Sequence, residues 1–224
     1  MSPYRRYAVY YTPSPGGFAD FGASWLGWDP VSGQEVAQPD LPGLDLAEIT
    51  ETPRKYGFHA TLKPPFRLAD DATPEKLRDA VAMQAQELKP VSLPGLRLER
   101  IGPFLALTPQ GDTSGLRDLA DKLVRSLDPL RAALTEQEIA KRNPERLSER
   151  QRILLKQWGY PYVMEEFRFH ITLSGALDDA TASAVEKVLT PLPEAVPQPF
   201  TLDAISLMGG GADGRFRLIE AFPL

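Results

Sequence analysis

The segment Tyr56–Leu68, YGFHATLKPPFRL, and its echo Glu166–Leu173, EFRFHITL, decide how this chain is read. Each contains one histidine in the order Phe-His-x-Thr-Leu: Phe58-His59-Ala60-Thr61-Leu62, then Phe169-His170-Ile171-Thr172-Leu173. The chain has two histidines in all, and both stand in this pattern. Short runs of aromatic, Thr and aliphatic residues bounded by loop formers predict strands. Alternate side chains of a strand share a face. Phe58, Ala60 and Leu62 can therefore enter a core while His59 and Thr61 face a cleft or solvent. Phe169, Ile171 and Leu173 are likewise separated from His170 and Thr172.

The flanks extend the echo. Leu68-Ala69-Asp70-Asp71-Ala72-Thr73 precedes a helical run Pro74–Leu88, and Ala176-Leu177-Asp178-Asp179-Ala180-Thr181 precedes a second, Ala182–Leu189. Two strand-like runs follow each helix. The pattern is that of a duplicated strand–helix–strand–strand unit, and an approximate two-fold axis would bring both His strands to one groove.

With 224 residues and 42% apolar content, the chain can bury a core as one domain or as two lobes. The absence of cysteine excludes disulfides and thiolate metal sites. An N-terminus without a long apolar core and the lack of an 18-residue apolar run lead to the expectation of a soluble cytoplasmic protein with no membrane contact. A net charge of −5 and a pI near 5.2 count against a large polynucleotide surface, though a few local cations could hold a small phosphate.

In chain order, Tyr4–Tyr11 reads as a strand and Phe18–Asp29 as a short helix whose aromatics form a core face. Val31–Thr52 is a loop with a short helix near Leu44–Ile49. Leu96–Arg100 and Phe104–Thr108 form a hairpin across Gly102-Pro103. Ser114–Leu134 has leucines at helical spacing, with Thr113 or Ser114 as its cap. Glu136–Trp158 departs from the duplicated plan: a helical insertion carrying Lys141, Arg142, Arg146, Arg150, Arg152 and Lys156. Its spacing does not gather the six cations on one side, so it is expected to be a solvated face paired locally with Glu145 and Glu149. A cationic arm toward an anionic substrate is the alternative. The turn Gly159–Tyr162 leads into the second His strand, and Tyr160 is a candidate substrate contact. The glycine-rich loop Gly209–Gly214 lacks a Gly-Lys-Ser/Thr ending and a following helix, so it reads as a hairpin tip.

Two imidazoles across a groove can perform both halves of an acid–base displacement, one activating a nucleophile and the other protonating the leaving oxygen. The neighbouring threonines suit phosphoryl oxygens. Lys63 shares the strand parity of His59 and Arg168 that of His170, so both are candidates to stabilise developing negative charge. Two histidines with no carboxylate on the same face make a poor zinc site, and a Ser-His-Asp triad would use one histidine. The residues thus suit phosphodiester chemistry without a metal or cofactor.

Paired His-x-Thr motifs on strands of a duplicated unit resemble the two-histidine phosphoesterase superfamily. The longer strings YGFHATLKPPF and WGYPYVMEEFRFHITL are similar to a branch of bacterial proteins linked to phosphonate-utilisation operons. The resemblance spans essentially the whole chain. It implies an α+β, duplicated bilobal fold: two antiparallel sheets facing a central groove, helices outside, and lobes near 1–130 and 159–224 with the basic insertion at 136–158. It also implies catalytic roles for His59, Thr61, His170 and Thr172 in hydrolysing a small cyclic phosphodiester, with a ribose cyclic phosphate as the suggested substrate. Analogy favours His170 as base and His59 as acid. Two other readings compete: an enzyme acting on cyclic or 2′,5′ RNA ends, and a non-catalytic sensor of a phosphorylated metabolite. The sequence does not address oligomeric state.

Overall fold

A computed structural model describes residues 3–190 and 192–224. The chain begins with β1 (Arg6–Tyr11) and α1 (Gly17–Leu26), followed by a two-residue pair, β2 (Trp28–Asp29) and β3 (Gln34–Glu35), and single-turn helices α2 (Leu46–Ile49) and α3 (Glu51–Arg54). The first His strand, β4 (Ala60–Phe66), leads to α4 (Pro74–Glu87), β5 (Val91–Leu93), the hairpin β6 (Leu96–Ile101) and β7 (Phe104–Pro109), and α5 (Ser114–Leu127). The insertion holds α6 (Glu136–Ala140) and α7 (Glu149–Trp158). The second His strand, β8 (Ile171–Thr172), precedes α8 (Asp179–Leu189), β9 (Phe200–Leu202), β10 (Ala204–Gly210) and β11 (Phe216–Pro223).

Seven strands form one antiparallel sheet in the order β11-β10-β1-β4-β8-β7-β6, and β5 pairs with β9 separately. The two halves of the large sheet meet at a single residue pair, Ala60 with Ile171. Outward from that seam, β4-β1-β10 on one side answers β8-β7-β6 on the other, with β11 as an added edge. The repeat therefore starts one strand earlier than the sequence echo suggests, as strand–helix–His strand–helix–strand. One consequence is that β6–β7, which follows the first motif in the chain, lies in the half of the sheet built on the second.

The alternation of both motifs sets which face is buried. Phe58, Ala60, Leu62, Phe169, Ile171 and Leu173 are all 5% exposed or less and join one core with Val9, Leu105, Leu107, Ile205 and Leu207. Leu77 and Val81 of α4, Leu116, Leu119 and Leu123 of α5, and Val185 and Leu189 of α8 close that core at helical spacing. Across the sheet lies a smaller cluster of Ala8, Tyr10, Met208 and Phe216, with Tyr56 against it.

The helix starts refine the expected boundaries. Thr73 caps α4 by accepting from the Lys76 amide, with Pro74 in the first turn. In the second copy no proline follows, and Asp178 caps instead, accepting from the Thr181 amide; α8 thus begins at Asp179 rather than Ala182. Thr113 holds the cap position of α5 without a side-chain bond, and Asp112 accepts from the amide and hydroxyl of Ser114 in its place. That helix stops at Leu127, where Asp128-Pro129-Leu130 tightens into a 3₁₀ turn. No described helix is long and apolar enough to cross a membrane.

Candidate active site

The antiparallel seam decides the geometry of the site. With Ala60 opposite Ile171, the register sets His59 opposite Thr172 and Thr61 opposite His170. All four side chains lie on the face opposite the core. Directly opposed Cβ atoms in such a pair are about 4.5–5.5 Å apart and diagonal neighbours about 7–8 Å. The imidazoles occupy one diagonal and the threonines the other, a spacing suited to flanking a phosphoryl group. The two His-x-Thr pairs are therefore brought together on one face of the folded chain.

Each histidine is locked in the same way. His59 Nδ1 donates to the Gly57 carbonyl at 2.8 Å, and His170 Nδ1 donates to the Arg168 carbonyl at 2.8 Å. A carbonyl only accepts, so Nδ1 carries the proton in both rings and Nε2 is left for chemistry. The tether is local: an extended chain places the carbonyl two residues back beside the ring.

Their surroundings differ. His59 stacks against Tyr10, ring centroids 4.0 Å apart, with Tyr56 at 5.9 Å, and the Thr61 hydroxyl donates to its Nε2 at 3.2 Å. Burial pushes the His59 pKa down to about 4, against the opposing pull of the Gly57 carbonyl, and the charge of His170 lowers it further. His170 has Phe104 at 5.7 Å and lines a cavity of about 510 Å³ with Thr61, Arg168, Tyr160 and Tyr162. Its pKa is also lowered, first by burial and then by the Arg168 guanidinium, with the Arg168 carbonyl acting the other way.

Of the two cations chosen by strand parity, the structure brings one to the cleft. Arg168 is exposed there, and its guanidinium makes no ion pair among the described residues. Lys63 is 2% exposed and points elsewhere: its Nζ donates to the Val124 carbonyl at 3.0 Å and lies 3.8 Å from Asp128. The cause is a register irregularity. Tyr10 faces Thr61 but Val9 faces Lys63, so Leu62 is an extra residue and the parity rule fails beyond it. Tyr160 lines the cleft and carries the Arg142 guanidinium over its ring at 4.7 Å. The insertion otherwise pairs differently from expectation. Arg150 binds Glu165 and Arg152 the Leu147 carbonyl, while Glu138 holds Arg67; no ion pair to Glu145 or Glu149 is found among the described residues.

Tyr10, Tyr56 and Phe104 escaped the sequence reading. For Tyr10 a signal existed, since the alternation of Tyr4–Tyr11 puts Arg6, Ala8 and Tyr10 on one face. Nothing local tied that face to His59, forty-nine positions on from Tyr10. Among the described residues, no three His, Asp or Glu side chains are grouped so as to hold a metal ion.

Comparison with known proteins gives a family and a set of relatives. The chain is 42% identical over 186 residues to "Ribose 1,5-bisphosphate phosphokinase PhnN" of Janthinobacterium sp. (strain Marseille), covering 80% of this chain and 41% of that one. It is 34% identical over 177 residues to the protein of the same name from Laribacter hongkongensis (strain HLHK9), covering 78% and 41%. The chain thus spans about two fifths of the length of these curated relatives. Among solved structures it is similar to E. coli LigT complexed with 3′-AMP, with 17% identity, a TM-score of 0.45 and coverage of 99% and 98%. Kluyveromyces marxianus Usb1 matches with 10% identity, a TM-score of 0.42 and coverage of 99% of each chain. A family model described as "Protein of unknown function (DUF1045)" matches residues 61–217, well over half the chain, and the chain belongs to that family.

Proposed function

We propose that this protein hydrolyses a small cyclic phosphodiester by acid–base catalysis between His59 and His170. The observation that carries the reading is the seam pair Ala60–Ile171, which puts both imidazoles on one face with Nε2 free of the backbone. In the reaction, one neutral Nε2 takes a proton from water as the water oxygen bonds to phosphorus. The phosphorus–sugar oxygen bond breaks, and the other imidazolium protonates the departing oxygen. Thr61 and Thr172 hold phosphoryl oxygens, and Arg168 offsets the charge that builds on them.

The order of protonation assigns the roles. His59 is packed against Tyr10 with the Thr61 hydroxyl donating to its Nε2, whereas His170 opens onto the cavity, so the first proton goes to His170. His170 is then the acid and His59 the base, the reverse of the assignment by analogy. The ribose bisphosphate in the relatives' printed name supports a ribose phosphate as substrate. A turnover screen of ribose cyclic phosphates, with RNA bearing a 2′,3′-cyclic end alongside, tests this. Hydrolysis of the small esters in preference to the RNA is expected. Preference for the RNA would move the site to RNA ends, and binding without turnover of either would make it a sensor.

A further inference from the structure

The strand beside His59 carries a polar group that the chemistry above does not use. Tyr10 is fully buried and its hydroxyl has no hydrogen-bond partner. A buried hydroxyl without a partner forfeits its hydration for nothing in return, and such atoms are rare. Its ring lies against His59 at 4.0 Å, so the orphan belongs to the active-site face. Arg6, two pleats along β1, points to the same face, with its guanidinium 5.6 Å from the Phe216 ring centre and no ion pair among the described residues. Tyr56 stacks on the other side of that patch, 5.4 Å from Phe216 and 5.9 Å from His59. Arg6, Tyr56 and, from the cavity, Tyr160 are all near enough to the Tyr10 hydroxyl for their charges to be felt there. On β1, which pairs with β4 along the edge away from β8, a cation and an unfilled donor thus share the face that holds His59.

We propose that Arg6 and the Tyr10 hydroxyl form a second anion subsite, which binds a phosphate carried elsewhere on the cyclic phosphodiester substrate. The inference rests on the hydrolase reading for its substrate, but the subsite itself does not depend on turnover. The partly buried Arg6 side chain is the movable piece: it swings to admit the phosphate, which then accepts from both groups. A charge-assisted hydrogen bond of this kind separates good from poor ligands by about tenfold or more.

Two measurements test it. The first is calorimetric binding of ribose 5-phosphate, which has a phosphate but no cyclic ester to hydrolyse. Wild type and Lys63→Met, altered outside the cleft, should bind it alike, while Arg6→Gln and Tyr10→Phe should lose about tenfold or more in affinity. Unchanged affinity in Arg6→Gln, or no binding by wild type, overturns the subsite. The second is the ratio of kcat/KM for ribose 2,3-cyclic phosphate with and without a 5-phosphate. Wild type should favour the phosphorylated ester by about tenfold or more, and the ratio should fall toward one in both variants. A wild-type ratio near one removes the subsite and leaves the hydrolase reading standing. Failure to hydrolyse either ester removes the hydrolase reading, and the calorimetry alone then decides the subsite. Tyr10→Phe also separates ligand binding from folding. Its hydroxyl has no partner to lose, so the ligand-free variant should melt no lower than wild type, whereas a structural role would lower its melting temperature.

Discussion

The two histidines are alike in backbone and unlike in surroundings. Each follows a phenylalanine at a strand start, and each gives its Nδ1 proton to the carbonyl two residues back. Yet His59 is pressed between Tyr10 and its own Thr61, and His170 opens onto the cavity beside Arg168. The symmetric part fixes which nitrogen is available, and the asymmetric part sets how readily each accepts a proton. A pair that needs one base and one acid at the same moment gains from such a difference, because identical sites would share a single proton without preference.

Removing either ring should give the largest effect. His59→Ala and His170→Ala are each expected to lower kcat by about 10²–10⁴-fold while circular dichroism stays native. The comparison sharpens with an ester whose leaving oxygen is replaced by sulfur, since a thiolate departs without a proton. On that substrate His170→Ala should recover much of its loss and His59→Ala little. Recovery by His59→Ala instead would restore the roles suggested by analogy.

Next in size is Arg168→Gln, expected to cost about tenfold or more in kcat/KM through the lost positive charge at the phosphoryl group. An unchanged kcat/KM would place the guanidinium outside the reacting zone.

The pH dependence follows from two depressed imidazoles. The active form carries one proton, so kcat/KM should peak below about pH 6.5, the ordinary histidine value. It should fall on the alkaline side as His170 loses its proton and on the acid side as His59 gains one near pH 4. Stability has the matching sign. A folded pKa of about 4 against about 6.5 unfolded means that the unfolded chain binds more protons between those values. The fold therefore loses stability as pH drops through that window and is unaffected by His59 above it. Denaturant midpoints from pH 4 to 7 should flatten in His59→Gln; the same slope as wild type would show that His59 is not held neutral.

The placement of the proposed site residues was legible in the sequence because strand alternation is local. His59, Thr61, His170 and Thr172 needed only a period of two and a repeated string, and the buried faces of both strands followed from the same count. The duplication was visible too, but its frame was not. Whether β7 pairs with β8 and β1 with β4 is settled by contacts between residues far apart in the chain, and no local string records them. Tyr10 was hidden for the same reason, being forty-nine positions before the ring it covers. Lys63 was misplaced by the reverse failure, a local rule carried past a bulge that only the neighbouring strand reveals.

Lys63 also gives the smallest expected effect on catalysis, and so the cleanest contrast with Arg168. Its ammonium supplies a donor to the Val124 carbonyl in the last turn of α5, where helix carbonyls lack partners of their own. Asp128 would not be stranded by its removal, because Arg131 already donates to both its oxygens at 2.8 and 3.3 Å. Burial holds the Lys63 pKa down at about 8 even with Asp128 nearby, so the site tolerates the charge poorly. Lys63→Met keeps the volume while deleting the donor and the cation that lies 5.1 Å from the Phe66 ring centre. It should lower stability by about 1–2 kcal/mol, the cost of one unsatisfied carbonyl less the relief of a buried charge. Its kcat/KM should stay within about threefold of wild type, since Lys63 bonds to helix backbone and not to the phosphoryl site. A loss as large as that of Arg168→Gln would bring the ammonium back into the cleft during turnover and make the two cations equivalent after all.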